Sequence, residues 1–417
     1  MNIMPRISKP EDVGLDADRL ANIPNYFSSY VDRGKLAGFS TLVSRGGEIA
    51  HFEVRGNCDR ERGLPMEKDT IFRIYSMTKP ITSLALMMLY EEGHFQLNHP
   101  VSRYIPEFKK LKVWAGGTPE NYETKPCARE MTIRDLLTHT SGLTYGFMYA
   151  HPVDKLYRDA GIDGANTVKL TLKEMVTALA DIPLLFSPGE QWSYSVSTDV
   201  CGYLVEVLSG RPLDEFLASR IFSPLGMDDT TFDFDAASRR DLAQSFTLDG
   251  VAEPLRRYTA LGAASLFTSA HDMARFVAAQ APGAPDPDAV LSAETRAVMR
   301  EPHAAQFGAD IWGLGTMLYA PNGRGDFIIG HDGDNEPAIN TAVRLDPATG
   351  DGIVVLETGG DLTATRLASE WVYWKTGKVD ALLFVMQAGT MIIWMLAGSG
   401  LIILMAVVAG WRLRRRR

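Results

Sequence analysis

Residues 71–92 read IFRIYSMTKPITSLALMMLYEE, and this stretch decides the fold. Its first residues predict the end of a β-strand, and the longer apolar run predicts a helix. Pro80 is compatible with a helix only in the first helical turn, where its missing N–H leaves no hydrogen bond unmade. We therefore expect Ser76 to lie at or just before the N-terminus of this helix.

Ser76 and Lys79 are three residues apart, so a helical start places them on one face. A serine hydroxyl is a weak nucleophile until a base removes its proton, and a lysine serves as that base only when burial or nearby cations lower its pKa. The helix N-terminus also offers free N–H groups where an oxyanion would form. The spacing alone is a weak signal, but the predicted strand end before Ser76 and the apolar helix after Lys79 strengthen it. We predict Ser76 as the nucleophile and Lys79 as its general base.

Two further segments contain residues suited to this chemistry. Tyr194 follows the break Ser187-Pro188-Gly189, and a tyrosine beside a lysine can relay a proton to the leaving group. His331 lies in Gly330-His331-Asp332-Gly333, which opens a β pattern. A strand edge beside the nucleophile would offer a backbone N–H to the oxyanion and a side chain to the substrate. Taken alone, the first segment is better interpreted as a packed core tyrosine and the second as a turn containing a histidine.

The chain as a whole predicts strands, then helices, then strands. Residues 39–55 read as two strands joined at Arg45-Gly46-Gly47, and residues 81–260 are mostly helical in pattern. We predict an α/β (α+β) fold, a mixed sheet with a helical domain of roughly residues 81–260 inserted into it. Strand-like runs return at 313–318, 327–329, 339–345 and 352–356, followed by a helix at 363–374.

Composition excludes several classes of protein. The 417 residues carry a net charge of −9, whereas a nucleic-acid binder usually shows a basic excess, so we predict no nucleic-acid partner. Cys58, Cys127 and Cys201 are far apart and form no CxxC pair. This favours three isolated thiols, with one disulfide and a free thiol left open. The eight histidines show no HExxH or paired i, i+4 spacing, and we predict neither a metal nor a cofactor.

The two ends of the chain differ. Residues 1–20 contain no continuous apolar run, so we expect no secretory signal peptide. Residues 381–411 contain no charged residue, which predicts a single membrane-spanning helix, and residues 412–417 form a basic tail. The positive-inside rule then places the catalytic domain outside the cell. The missing export signal favours a cytosolic domain instead, and the side of the membrane stays open.

Four stretches resemble the serine β-lactamase-related hydrolases, a family that includes class C β-lactamases, D-alanyl-D-alanine carboxypeptidases and family VIII carboxylesterases. The resemblance covers roughly residues 10 to 375, with the motifs in the expected order. It implies an antiparallel sheet flanked by helices plus an all-helical domain, with the active site between them. We predict a hydrolase domain at residues 1–378. The stretches are residues 72–79, 136–142, 186–194 and 224–227.

The resemblance also implies roles for single residues. Ser76 and Lys79 fall on the nucleophile and its lysine, and Tyr194 falls on the tyrosine of the second motif. His331 and Gly333 fall on the third motif, which is Lys-Thr-Gly in class C β-lactamases and often His-x-Gly in their relatives.

Two positions depart from the class C pattern. Val196 stands where those enzymes have an asparagine, and His331 replaces the lysine of the third motif. Both groups help to hold the amide and carboxylate of a β-lactam. Tyr-Ser-Val is a form found in family VIII esterases. The resemblance therefore favours a carboxylesterase that cleaves a small-molecule ester, or amide, through an acyl-serine.

Two alternatives stay open. One is a D-Ala-D-Ala carboxypeptidase or β-lactamase on the same fold. The other is a non-catalytic sensor or scaffold, against which the intact Ser76, Lys79 and Tyr194 argue. His139, in Thr138-His139-Thr140, is a tempting base, but we expect it to fix its loop by hydrogen bonds. The sequence does not indicate the oligomeric state.

Overall fold

The computed structural model describes residues 5–162, 170–247, 250–258, 261–282, 284, 290–306, 308–335, 339–360, 362–380, 382, 394–396, 398–400, 402–403 and 405. The strands are β1 Gly38–Arg45, β2 Glu48–Asp59, β3 Leu64–Pro65, β4 Ile71–Arg73, β5 Lys112–Thr118, β6 Asn121–Pro126, β7 Ser245–Phe246, β8 Ala252–Glu253, β9 Phe267–Ser269, β10 Ala304–Gln306, β11 Ala309–Trp312, β12 Met317–Pro321, β13 Phe327–Asn335, β14 Ile339–Asp346 and β15 Asp351–Thr358. The α-helices are α1 Ala17–Leu20, α2 Asn22–Asp32, α3 Thr78–Glu91, α4 Ile133–Leu137, α5 Pro152–Asp159, α6 Leu172–Leu179, α7 Ser197–Ser209, α8 Leu213–Leu217, α9 Ser223–Leu225, α10 Phe234–Ser238, α11 Leu261–Ala264, α12 Ala270–Ala278, α13 Ala293–Arg300 and α14 Thr363–Thr376.

The main sheet has nine strands in the order β10-β11-β12-β13-β14-β15-β1-β2-β3, and each neighbouring pair is antiparallel. Its centre joins early and late parts of the chain, because β1 pairs with β15 from Gly38 opposite Thr358 to Ser44 opposite Gly352. This arrangement confirms the antiparallel sheet that the resemblance implies and corrects the mixed sheet that the strand pattern predicts.

Helices cover both faces of the sheet. On one face, Phe27 of α2 and Trp371 of α14 pack with Phe39 and Val355. On the other face, α3, α7 and α12 pack with Leu42 and Val354 in the larger core. The strands β14 and β15 are buried at every residue, as expected for strands covered on both sides. The boundaries of a domain at 1–378 and of a helical subdomain near 81–260 stay predictions.

The structure corrects two of the secondary-structure predictions. The mostly helical middle contains an antiparallel hairpin, β5–β6, whose second strand is exposed throughout and so shows no apolar alternation. The run at 313–318 is largely a turn between β11 and β12. A Cβ atom on Gly313 would lie 2.2 Å from the Met299 carbonyl oxygen, and Gly315 has φ of +78°. Both glycines therefore serve a tight turn.

The segment that contains Ser76 folds as predicted. Strand β4 ends at Arg73, a 3₁₀ turn spans Tyr75–Met77, and α3 begins at Thr78, so that Pro80 lies in its first turn. Tyr75 has φ of +41°, an unusual conformation for a residue other than glycine. The Thr78 hydroxyl donates to the Tyr75 carbonyl at 2.6 Å and closes the turn. Ser76 is therefore presented on a tight turn directly before a buried helix.

The predicted membrane-spanning helix at residues 381–411 is corrected. A helix needs about 20 consecutive apolar residues to cross a bilayer. Helix α14 ends at Thr376, and among the residues given above no helix is long and apolar enough to cross a membrane. The prediction of a single-pass membrane location is therefore wrong. Residues 383–393 and 406–417, which include the basic tail at 412–417, lie outside the described residues.

Candidate active site

Ser76 and Lys79 meet at the start of α3. The Lys79 Nζ donates to the Ser76 Oγ at 2.8 Å and to the Ala263 carbonyl at 3.1 Å. The Lys79 side chain is buried, whereas Ser76 is partly exposed. Burial lowers the pKa of Lys79 to about 7, and the carboxylate of Asp199 opposes that shift. A lysine that is partly neutral near pH 7 can accept a hydroxyl proton.

Two tyrosine rings enclose the Lys79 amine. Its Nζ lies 4.7 Å from the centroid of the Tyr194 ring and 5.5 Å from that of Tyr145. Burial raises the pKa of Tyr194 above its ordinary value, and an interaction with Ser76 opposes that shift. The phenol is therefore protonated at neutral pH and can donate a proton. The structure brings Ser76, Lys79 and Tyr194 into one cluster, to which Tyr145 is an addition that the motifs do not indicate.

His331 lies on β13 beside this cluster. Its ring centroid is 6.1 Å from that of Tyr194 and 5.7 Å from that of Trp312. The Nδ1–H donates to the Asp332 carbonyl at 2.6 Å, and the buried Nε2 has no hydrogen-bond partner among the described residues. Burial, reinforced by the charge of Lys79, lowers the pKa of His331 to about 3. His331 is therefore neutral, and its free Nε2 is an acceptor rather than a cation.

Gly333 allows β13 to pass close to the serine turn. A Cβ atom there would lie 2.0 Å from the Ile74 carbonyl oxygen and 2.3 Å from the Thr341 Oγ1. The same Thr341 hydroxyl donates to the Ile74 carbonyl at 3.2 Å, which ties β14 to the segment before Ser76. No side chain larger than hydrogen fits at this position without displacing that segment.

Val196 is placed in the core. Its side chain is completely buried in the larger core, at the start of α7. Its backbone N–H donates to the Thr144 carbonyl at 3.3 Å.

Asp199 is a site residue that the motifs do not indicate. It is completely buried in the first turn of α7, and its Oδ1 accepts from the Ala263 N–H at 3.1 Å. The Oδ2 is buried without a hydrogen-bond partner in the described part of the chain. Burial raises the pKa of Asp199 to about 7, and the Lys79 ammonium opposes that shift. In the sequence, an acidic residue in a first helical turn is ordinary, which is why it gives no signal.

His139 is buried beside Ser195, Trp312 and Tyr194, and its structural role stays a prediction. Its Nδ1 lies 3.1 Å from the Ser195 Oγ, and its ring packs at 4.7 Å from Trp312 and 5.0 Å from Tyr194. Burial lowers the pKa of His139 well below its ordinary value, so the ring is neutral. Over the described residues, no group of three or more His, Cys, Asp or Glu side chains is arranged to hold a metal ion. All three cysteines are free thiols.

Residues 23–377 match the family described as Beta-lactamase, and every site residue above lies within this range. The chain belongs to the Beta-lactamase family. This finding confirms the resemblance to the β-lactamase-related serine hydrolases.

Three similar proteins illustrate the Beta-lactamase relationship. Esterase EstB from Burkholderia gladioli is 37% identical over 249 residues, which cover 59% of this chain and 59% of EstB. Lovastatin esterase from Penicillium rubens is 33% identical over 213 residues, 49% of this chain and 51% of that protein. The octameric penicillin-binding protein homologue from Pyrococcus abyssi shares the fold, with a TM-score of 0.69 at 23% identity over 86% of this chain and 78% of that one. The chain matches about half to three fifths of the length of the two curated relatives.

Proposed function

We propose that the chain is a serine carboxylesterase that cleaves a small-molecule ester through an acyl-serine intermediate. The observation that carries the proposal is the 2.8 Å hydrogen bond between the Ser76 Oγ and the Nζ of the buried Lys79. Membership of the Beta-lactamase family and similarity to two proteins named as esterases support it.

The proposed reaction begins with neutral Lys79. Its Nζ takes the proton of Ser76 while the Oγ bonds to the carbonyl carbon of the ester, and the carbonyl oxygen becomes an oxyanion. Ser76 directly precedes α3, and the N-terminus of a helix is a favourable place for an oxyanion. From His331 onward, β13 pairs with β14 alone among the described strands, so its other edge is available for an oxyanion.

The second half of the reaction returns the proton. The Lys79 ammonium passes it through the Tyr194 hydroxyl to the leaving alkoxide as the carbon–oxygen bond breaks, and the acyl-serine remains. A water molecule then attacks the acyl carbon, and its proton passes to Lys79. Collapse of this intermediate releases the carboxylic acid and restores the Ser76 hydroxyl. Protons and charges balance without a cofactor.

Two features favour an ester over a β-lactam. Val196 has no hydrogen-bonding group and lies in the core, so it offers no amide contact to a lactam. The third-motif residue, His331, is neutral and offers no positive charge to a lactam carboxylate. We expect kcat/KM for short-chain esters to exceed that for β-lactams by at least about tenfold, or ~1.4 kcal/mol of transition-state discrimination.

The test is intact-mass analysis after exposure to a fluorophosphonate, a penicillin and short-chain p-nitrophenyl esters. We expect a stable fluorophosphonate adduct on the wild-type protein and none on Ser76→Ala. Ser83→Ala is a matched control, because Ser83 lies on the same helix and its buried Oγ has no hydrogen-bond partner among the described atoms. This control should be labelled and should turn over esters like the wild type.

Each other outcome supports a different function. Penicillin turnover that exceeds ester turnover would favour a β-lactamase or a D-Ala-D-Ala carboxypeptidase. An unlabelled wild-type protein would favour a non-catalytic sensor or scaffold. Ester turnover by Ser76→Ala at the wild-type rate would exclude Ser76 as the nucleophile.

A further inference from the structure

We propose that Asp199 is a positioning residue with two effects. It fixes the Ala263 carbonyl that accepts a hydrogen bond from Lys79, and it balances the positive charge that Lys79 acquires with the proton of Ser76. The inference rests on the proposed function, because it assigns Asp199 to the same reaction. Asp199 acts through Lys79 and does not touch the reacting ester.

A two-step link connects the carboxylate to the amine. The Asp199 Oδ1 accepts from the Ala263 N–H at 3.1 Å, and the Ala263 carbonyl accepts from the Lys79 Nζ at 3.1 Å. Ala263 belongs to α11, a single helical turn. Asp199 therefore fixes the position of Ala263, and the Ala263 carbonyl in turn fixes the position of Lys79, the proposed base.

Close packing makes this link rigid. A Cβ atom on Gly262 would lie 2.9 Å from the Thr198 carbonyl oxygen and 3.3 Å from the Asp199 Cα, so α11 lies directly against α7. The Thr82 hydroxyl of α3 donates to the Gly262 carbonyl at 2.7 Å. The turn of α11 is therefore held between the helix of Asp199 and the helix of Lys79.

The second carboxylate oxygen indicates more than a structural tie. The Asp199 Oδ2 is buried and has no hydrogen-bond partner among the described residues. A buried carboxylate with an oxygen that accepts no hydrogen bond is unfavourable unless a nearby cation compensates its charge. Lys79 becomes such a cation when it takes the proton of Ser76. In a dry site this attraction is much stronger than in water, so Asp199 stabilises the charge that develops on Lys79.

The other titratable groups near this pair are neutral at pH 7. Burial raises the pKa of Tyr145, Tyr194 and Cys201, which interact with Asp199. Burial lowers the pKa of the two histidines that interact with Lys79. Of the described groups facing the pair, Asp199 and Lys79 are therefore those that change charge near neutral pH. The two histidines are His139 and His331.

The test is Asp199→Asn, which preserves the shape and an oxygen acceptor for the Ala263 N–H but removes the charge. We expect the acidic limb of kcat/KM for p-nitrophenyl butyrate to move to lower pH by about one unit or more, because the carboxylate no longer raises the pKa of Lys79. We also expect kcat on the plateau to fall by about tenfold or more with little change in KM. A merely structural role would leave the limb in place.

Glu357→Gln is the matched control. Glu357 is completely buried, its Oε1 accepts from the N–H groups of Thr363 and Ala364, and its Oε2 has no hydrogen-bond partner in the described part of the chain. It lies on β15 beneath α14 and repeats the arrangement of Asp199 away from Ser76. We expect this variant to change stability but not the position of the acidic limb.

The outcomes separate this inference from the proposed function. If Asp199→Asn is labelled by fluorophosphonate but keeps the wild-type position of the acidic limb of kcat/KM and the wild-type plateau kcat, the inference fails and the proposed function stands. An equal shift in Glu357→Gln would also overturn the inference. If Asp199→Asn does not fold, the test is instead an infrared difference spectrum of the wild-type protein, recorded before and after fluorophosphonate labelling. A change in a carboxyl band is expected there, and its absence would contradict the inference.

Discussion

The replacement Gly333→Ala tests how closely β13 must approach the serine turn. The new Cβ atom would lie 2.0 Å from the Ile74 carbonyl oxygen, whereas nonbonded heavy atoms prefer roughly 3.5 Å. Strand and turn must therefore separate by more than ~1 Å. The Ile74 carbonyl also accepts from the Met77 N–H at 3.0 Å and from the Thr341 hydroxyl at 3.2 Å. Any separation therefore moves the turn that presents Ser76.

We expect Gly333→Ala to lower kcat/KM for a p-nitrophenyl ester by about 100-fold, because a misplacement of 1 Å has effects of that order. Overpacking should also lower stability by about 1–3 kcal/mol. Gly38→Ala is the control, because its Cβ would lie 2.8 Å from the Asn57 carbonyl oxygen in a different part of the sheet. It should lose stability but keep its activity once folded. Full activity in folded Gly333→Ala would refute the reasoning.

Two further changes give separate expectations. Lys79→Ala should lower kcat/KM by about 10²- to 10⁴-fold and abolish the rise in rate with pH. The reason is that only neutral Lys79 accepts the proton, and burial lowers its pKa to about 7. If the acidic limb of the steady-state pH–rate profile is unchanged in this variant, another residue is the base. A chain that ends at Lys378 should melt at a lower temperature than one that ends at Leu382, because it loses the buried Asp380, which lies 3.6 Å from Arg344 and accepts from the Ser369 hydroxyl at 3.0 Å. The loss should be about 1–3 kcal/mol, and equal melting temperatures would contradict it.

The sequence predicts those parts of the molecule that local patterns determine. The serine turn follows from Pro80 and the apolar run after it, and the two strand-like runs in residues 39–55, joined at Arg45-Gly46-Gly47, predict the hairpin β1–β2. The proximity of Ser76 and Lys79 needs only one helical turn. These predictions succeed because the residues concerned are close in the chain.

Contacts between distant segments could not be predicted in this way. Asp199 and Ala263 are 64 residues apart, and nothing in their local sequence indicates that they meet. Val196 follows Tyr194 by two residues, yet the turn that enters α7 directs it into the core. Residues 381–411 contain no charged residue, yet among the described residues no helix is long and apolar enough to cross a membrane.

The alternation of side chains along β13 explains the charge state of the site. His331 faces Tyr194, whereas Asp332 is bonded to Arg344 at 3.0 Å and 3.1 Å in a separate buried cluster. The Asp332 carboxylate is therefore paired with the Arg344 guanidinium, and burial is the main cause of the low pKa of His331. Beside Ser76, a neutral histidine and a neutral Tyr194 accompany a Lys79–Asp199 pair whose net charge is −1 while Lys79 is neutral and zero once Lys79 holds the proton of Ser76. Such a site offers no excess positive charge to a substrate carboxylate. For the proposed esterase we therefore expect a preference for neutral esters, and adding a carboxylate to the acyl group should reduce kcat/KM rather than raise it.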